Sequence, residues 1–182
     1  MPTSSIQVDF LPQRTHGLPG RLGLTHAPGR WGPGRDPSSD RLLEEDLEQL
    51  RDRHGTRVLV TLLEEFEMAR YAIPDLRAEV MRAGLRSLWL PIPDMSVPDS
   101  MEDVAALVTD FLDRMAAGDT VVVHCLGGLG RSGTIAACCL VARGLAPAKA
   151  IAAVRAARPG AVEVESQVRF VERFGGTLGE VS

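Results

Sequence analysis

The sequence predicts an α/β protein with a largely parallel central sheet flanked by helices. Three observations carry that expectation. Short runs that are apolar throughout, "RVLVTLL" (57–63), "LRSLWLPI" (85–92) and "TVVVHC" (120–125), read as strands buried on both faces. Helical patterns alternate with them, the arrangement of a parallel sheet covered on both sides. The segment "RSGTIAACCLVARG" (131–144) is apolar nearly all round, as a helix packed against a sheet must be.

Taken in order, "SSIQVDFLP" and "RLGLTHAPGR" read as short strands broken by Gly and Pro, and 27–39 as a loop by composition. A helix is expected at about 40–53, with Ser39 or Asp40 as its N-cap. "PDLRAEVMRAG" (74–84) is a helix opened by Pro and closed by Gly. The Pro-rich stretch 93–100 is a loop. It leads into a helix over 100–118, where Ser100 and Asp103 form a capping-box-like start. Further helices are expected at 146–160 and 165–176, followed by a loose tail, "TLGEVS". We expect one domain over 1–182, with a core at about 20–174 and loosely ordered ends.

At 182 residues the chain is long enough for a sizeable core, and a net charge of −4 argues against a nucleic-acid or membrane-surface binder. Lys149 is the only lysine, so no basic patch stands out. The three cysteines, Cys125, Cys138 and Cys139, form no disulfide framework, which suggests a reducing cytoplasm. The N-terminus lacks the pattern of a signal peptide, and no stretch is long and uncharged enough to span a bilayer. His16, His26 and His54 have no metal-ligand spacing. No metal or cofactor is expected.

The chemistry concentrates in "HCLGGLGRSG" (124–133), at the end of a strand and the start of a helix. In parallel sheets ligands bind beyond the carboxyl ends of strands. The first amides of a helix lack internal partners, and a tight turn of N–H groups curls around an anion. Leu126, Gly127, Gly128, Leu129, Gly130 and Arg131 are the expected phosphate-binding residues. Glycines at 127, 128, 130 and 133 would keep side chains from crowding that curl. A helix N-terminus and a guanidinium favour a thiolate, so Cys125 reads as a nucleophile and Arg131 as a bidentate phosphate clamp. The Ser132 hydroxyl is placed to ease departure of the thiolate.

His124-Cys125, five residues, then Arg131-Ser132 resembles the signature of cysteine-dependent protein tyrosine and dual-specificity phosphatases. The wording "HCLGGLGRS", with "GLTHAPGR" upstream and "LPIPDMSVPD" between, resembles most the kinase-associated phosphatase (cyclin-dependent kinase inhibitor 3-like) family, over about residues 20–174. The resemblance implies a dual-specificity-phosphatase-like fold and hydrolysis of phosphomonoesters through a cysteinyl-phosphate. It also implies an aspartic acid on a mobile loop, protonating the leaving oxygen and then activating water. "PIPD" puts Asp94 there. Asp99 is the rival, with helix capping as its ordinary role. The family's Gln-x-x-x-Gln motif falls on Glu163 and Gln167, a departure at the first position. Either becomes a candidate for positioning water. A phosphoprotein substrate and a monomer are expected.

Ordinary readings apply to several other residues. Cys138 and Cys139 are small hydrophobes on an apolar helix, His124 orders the loop from beneath, and Trp31 and Arg35 are loop residues. Glu64 and Glu65 follow a strand end, where one could orient Arg131, although a solvated acidic cluster is the more ordinary reading. "GLGRSG" also fits the dinucleotide pattern, but no second strand with an acidic end follows. A Walker loop lacks its lysine, and a sulfurtransferase fits the spacing less well. A catalytically weak phosphate-binding module, or a phosphatase of lipid or small-molecule phosphates, is the alternative. The neutral spacer "LGGLG" speaks for protein over highly charged headgroups.

Overall fold

The computed structural model describes residues 5–30 and 39–179. Its five strands are β1 (Asp9–Phe10), β2 (Arg21–Thr25), β3 (Thr56–Thr61), β4 (Arg86–Trp89) and β5 (Thr120–His124). They form one sheet in the order β1-β2-β5-β3-β4. All neighbours are parallel except the short edge pair β1 and β2. The expected α/β architecture is therefore present, and the N-terminal edge strand is its antiparallel part.

Among the described residues seven α-helices cover the sheet: α1 (Ser39–Glu48), α2 (Glu65–Arg70), α3 (Leu76–Arg82), α4 (Met101–Ala116), α5 (Gly130–Ala142), α6 (Pro147–Ala157) and α7 (Glu165–Gly179). The alternation of strand side chains divides them between two faces. Val121 and Val123 of β5 join Leu22, Leu24, Val58 and Val60 under α4 to α7. Val122 and Leu59 point the other way, under α1, α2 and α3, against Leu43, Leu47, Met68, Leu76 and Val80. Every residue of α5 from Gly130 to Val141 is buried, as its all-round apolar character predicts. At about 1.5–3 kcal/mol for each large apolar side chain buried, this central layer dominates the stability of the fold.

Several boundaries differ from the sequence reading. Leu62 and Leu63 lie past the end of β3, and 90–92 past the end of β4, because the chain there peels away to build loops. The backbone still pairs irregularly: Leu62 N–H donates to His124 O, and Leu90 N–H donates to Thr61 O. The helix expected to end at Arg53 does so through one π turn, Gln49–Arg53. The side chains of Ser39 and Asp40 lie outside the described residues, as do Trp31 and Arg35. Ser100 caps α4 as expected, its Oγ accepting from Asp103 N–H at 3.0 Å.

Two helical stretches go beyond the sequence reading. The "TLG" expected in a loose tail continues α7 to Gly179. α2 is unanticipated: at six residues it is too short for hydrophobic periodicity to reveal. What starts it is a capping box, in which Glu67 Oε2 accepts from Glu64 N–H at 2.9 Å.

Candidate active site

Register brings the site together. Thr25, His124 and Thr61 are direct partners across β2, β5 and β3, and Thr61 pairs with Trp89 of β4. Four parallel strands thus end level. The segments leaving them deliver Arg30 after β2, Cys125 to Arg131 after β5, Glu67 after β3 and Asp94 after β4. Glu163 and Gln167, at the start of α7, complete the set. A cleft of about 190 Å³ is lined by Arg30, Asp94, Met95, Cys125, Leu126, Gly127, Leu129, Arg131, Glu163 and Gln167.

The loop after β5 is held from outside by its carbonyls. Cys125 O meets the His124 ring at 3.0 Å. Leu126 O accepts from Ala27 N–H at 3.1 Å and Arg30 at 3.0 Å. Gly127 O accepts from Arg158 at 2.8 Å, and Gly130 O from the Thr134 hydroxyl at 2.8 Å. In a trans peptide the carbonyl and the following N–H point in opposite directions. Turning these carbonyls outward therefore turns the intervening amides toward the cleft.

Three of the glycines have a further reason beyond the one expected. A Cβ on Gly128, whose φ is +74°, would overlap the Thr25 carbonyl. One on Gly130 would come within 2.9 Å of Gln167 Nε2, and one on Gly133 within 2.9 Å of Val162 N. These three let the loop lie against its neighbours. Only Gly127 fronts open space, with Arg30 Nη1 4.0 Å from its notional Cβ.

Arg131 is among the most deeply buried large side chains, at 2% exposure. Glu67 grips the end of its fork: Nη1 donates to Oε2 at 2.7 Å and Nη2 to Oε1 at 3.0 Å. Nη1 also donates to Ile92 O at 2.9 Å. Burial works against the charge, but the bonds to Glu67 and the negative groups at Cys125, Glu67 and Asp94 outweigh it, raising the pKa of the guanidinium. The carboxylate that orients Arg131 is thus neither Glu64 nor Glu65. Glu64 caps α2 and Glu65 is exposed, while Glu67, one turn on, points inward. The signal available in the sequence was the Glu64/Glu67 capping-box spacing.

On the remaining edge of the guanidinium Nε makes no hydrogen bond among the described residues, and Nη2 is ion-paired with Asp94. Asp94 Oδ1 lies 3.1 Å from Nη2, and the Asp94 side chain is 63% exposed. Asp99 is not part of the cleft lining. Cys125 Sγ is 3.5 Å from Ser132 Oγ, and both residues are buried.

Beneath the loop, His124 Nε2 meets Thr61 Oγ1 at 2.9 Å, and burial pushes its pKa down to about 4. It is neutral at physiological pH and structural. Cys138 and Cys139 are fully buried. Burial raises both thiols, Cys139 to about 12, so they stay protonated. Gln167 is fully buried, and Glu163 is exposed at the cleft. Val162, just before it, has φ +55°, an uncommon conformation for a β-branched residue. Arg30, in the cleft lining, and Arg158, outside it, brace the loop, and neither was singled out from the sequence.

A cysteine and an arginine on a strand–loop–helix, faced by a carboxylate loop, define a cysteine-dependent protein tyrosine or dual-specificity phosphatase, a phosphoric monoester hydrolase. Residues 34–145 match the family described as polymorphic toxin system, DSP-PTPase phosphatase, and the chain belongs to that family. Over 176 residues the chain is 28% identical to cyclin-dependent kinase inhibitor 3 of Rattus norvegicus, covering 95% of this chain and 80% of the relative. Its structure superposes on kinase associated phosphatase, in a form whose catalytic-site cysteine is substituted by serine, with a TM-score of 0.87. That match covers 97% and 98% of the two chains at 24% identity, where the likeness is one of fold. The active form of Tk-PTP matches with a TM-score of 0.73 at 28% identity, covering 93% and 96%. No helix among the described residues is long and apolar enough to cross a membrane.

Proposed function

We propose that the chain removes phosphoryl groups from phosphorylated protein side chains, with Cys125 as nucleophile. The observation that carries this reading is that the carbonyls of the loop are bound from behind, which turns the amides between them toward the cleft that Cys125 lines.

The phosphoryl group takes the free edge of Arg131, Nε and Nη2, bidentately, and the loop amides from Leu126 to Arg131 hold its other oxygens. Its arrival displaces Asp94 from the guanidinium and brings negative charge beside it, which favours the protonated acid. The Cys125 sulfur attacks phosphorus, the P–O bond to the substrate breaks, and Asp94 gives its proton to the leaving oxygen. Glu163 then orients a water molecule. Asp94 takes its proton as the oxygen attacks phosphorus, and the S–P bond breaks with the Ser132 hydroxyl stabilising the departing thiolate. Inorganic phosphate leaves, and enzyme and proton balance are restored. Hydrogen bonding of this kind at developing charge is a large share of such catalysis.

A phosphoprotein is the substrate class, because the spacer 126–130 offers neutral amides rather than lysines for a multiply charged headgroup. The reading is of a cytoplasmic monomer that uses neither metal nor cofactor, and the family description sets it within polymorphic toxin systems. Replacing Cys125 with Ser tests it. Turnover of a phosphotyrosine peptide should fall by orders of magnitude while vanadate or phosphate still binds, and chelator should leave the native enzyme active. Near-normal turnover in C125S, or activity that chelator abolishes and a divalent metal restores, would place the chemistry elsewhere.

A further inference from the structure

We infer that Gln167 is a positioning residue: a buried latch that holds the Asp94 loop over the cleft. The inference rests on Asp94 being the acid. Both ends of the Gln167 amide bind backbone. Oε1 accepts from Glu163 N–H at 2.9 Å and Val164 N–H at 3.4 Å. Nε2 donates to Ser96 O at 3.1 Å, across 71 residues of chain.

Ser96 is the closing residue of the turn that carries Asp94. Its N–H donates to Pro93 O, and Met95 within the turn has φ +54°. The turn is therefore one unit with two moorings. The first is Ile92, whose N–H donates to Leu62 O and whose carbonyl accepts from Arg131. The second is the Ser96–Gln167 bond. Asp94 itself is mostly exposed and ion-paired with the fork of Arg131, which leaves the two moorings to hold the loop. A Cβ on Gly130 would come within 2.5 Å of Glu163 Oε2 and 2.9 Å of Gln167 Nε2, so the glycine makes room for both side chains.

This divides the labour of the family's two glutamines differently. Its oxygen is used by two amides and one of its two Nε2 hydrogens by Ser96, so the Gln167 side chain is committed largely to backbone. The water falls to Glu163, which Gln167 and the strained Val162 hold at the cleft mouth. The latch matters most when the leaving group needs a proton, as phosphotyrosine does, and least for an acidic nitrophenol.

The test compares turnover of a nitrophenyl ester with that of a phosphotyrosine peptide in D94N, Q167M, Q167E and D94N/Q167M. D94N should raise the ester-to-peptide ratio by about 10²-fold or more, within the usual range for loss of a general acid. Q167M should raise it by about tenfold. Q167E should do the same while keeping an oxygen for the Glu163 and Val164 amides, which separates the Ser96 bond from the start of α7 and from folding. D94N/Q167M should show no larger ratio than D94N, because the two act through one proton transfer. A wild-type ratio in Q167E beside a raised one in D94N overturns the latch alone, as does a double variant whose losses multiply. An unaltered ratio in D94N removes the acid assignment and the latch with it.

Discussion

Replacing Glu67 by Gln asks how far the order of the site is electrostatic. The variant keeps the size of the side chain and one acceptor oxygen but removes the charge that faces Arg131. The two side chains are 2% and 5% exposed and joined by two hydrogen bonds. Without the carboxylate the guanidinium stays buried, with one neutral amide oxygen at position 67, Ile92 O and the Asp94 contact as its remaining partners. Breaking a buried pair by removing one partner costs about 3–5 kcal/mol. Asp94, at 3.1 Å, takes up some of that, but it is 63% exposed and its charge is screened. The lower end, about 3 kcal/mol, is expected. For a domain of this length each kcal/mol moves the melting temperature by roughly 2–4 °C, so E67Q should melt about 6–12 °C lower. Its turnover of phosphopeptide should fall as well, because the free edge of Arg131 loses its aim. Replacing both partners, as E67L/R131M, should recover most of the stability while leaving the enzyme inactive, since no unpaired charge remains. Thermal melts by circular dichroism measure both. An E67Q protein melting within about 2 °C of the wild type, or a double variant no more stable than E67Q, would refute the reasoning.

Acid should weaken the fold through His124. Its pKa is near 6.5 in the unfolded chain and about 4 in the fold, so between those values the unfolded state binds the extra proton and stability rises with pH. The contribution, on the order of 3 kcal/mol, is present above pH 6.5 and lost as the pH falls toward 4. Urea unfolding at pH 4.5 and 7 should show a smaller pH effect in H124Q than in the wild type; an equal effect would count against it. His16 is lowered in the same sense by burial and Arg143, so some slope should survive in H124Q. At the loop, G128A should lose both stability and activity, because it combines a positive φ with overlap on Thr25, whereas G127A should keep the melting temperature. Equal melting of the two variants would mean that the close approach at Thr25 relaxes freely.

What could be read from the sequence was whatever rests on a local pattern. The strand β5, the buried helix α5 and the loop between them are contiguous, and their chemistry follows from residue types at fixed spacing. Asp94 was reachable because prolines force its loop away from the sheet. What escaped depends on contacts between distant segments. Glu67 was not singled out beside Glu64 and Glu65, because only the turn of α2 brings it inward. The reason for Gly128, Gly130 and Gly133 lies in Thr25, Gln167 and Val162, none of which is near them in sequence. Gln167 reads as a water-positioning candidate in a one-dimensional motif; its bond to Ser96 is visible only in three dimensions. Arg158 carries no motif, and Arg30 closes the stretch "GLTHAPGR" without its role being legible there, because a side chain that braces a carbonyl needs only reach and charge.

The brace on Gly127 bears on the order of events in folding. Arg158 holds that carbonyl while its Nη1 bonds Asp9 Oδ2 at 2.6 Å, a link across 149 residues. One end belongs to the edge strand β1, near the chain start, and the other follows α6. Local structure in β5 and α5 can form early, whereas this clasp must wait for both ends of the chain to meet, a slow, long-range closure. The anion cradle is therefore finished only once Arg158 has met Asp9, and a nascent chain that displays the whole cysteine motif but not yet Arg158 would lack a fully braced receptor for phosphate.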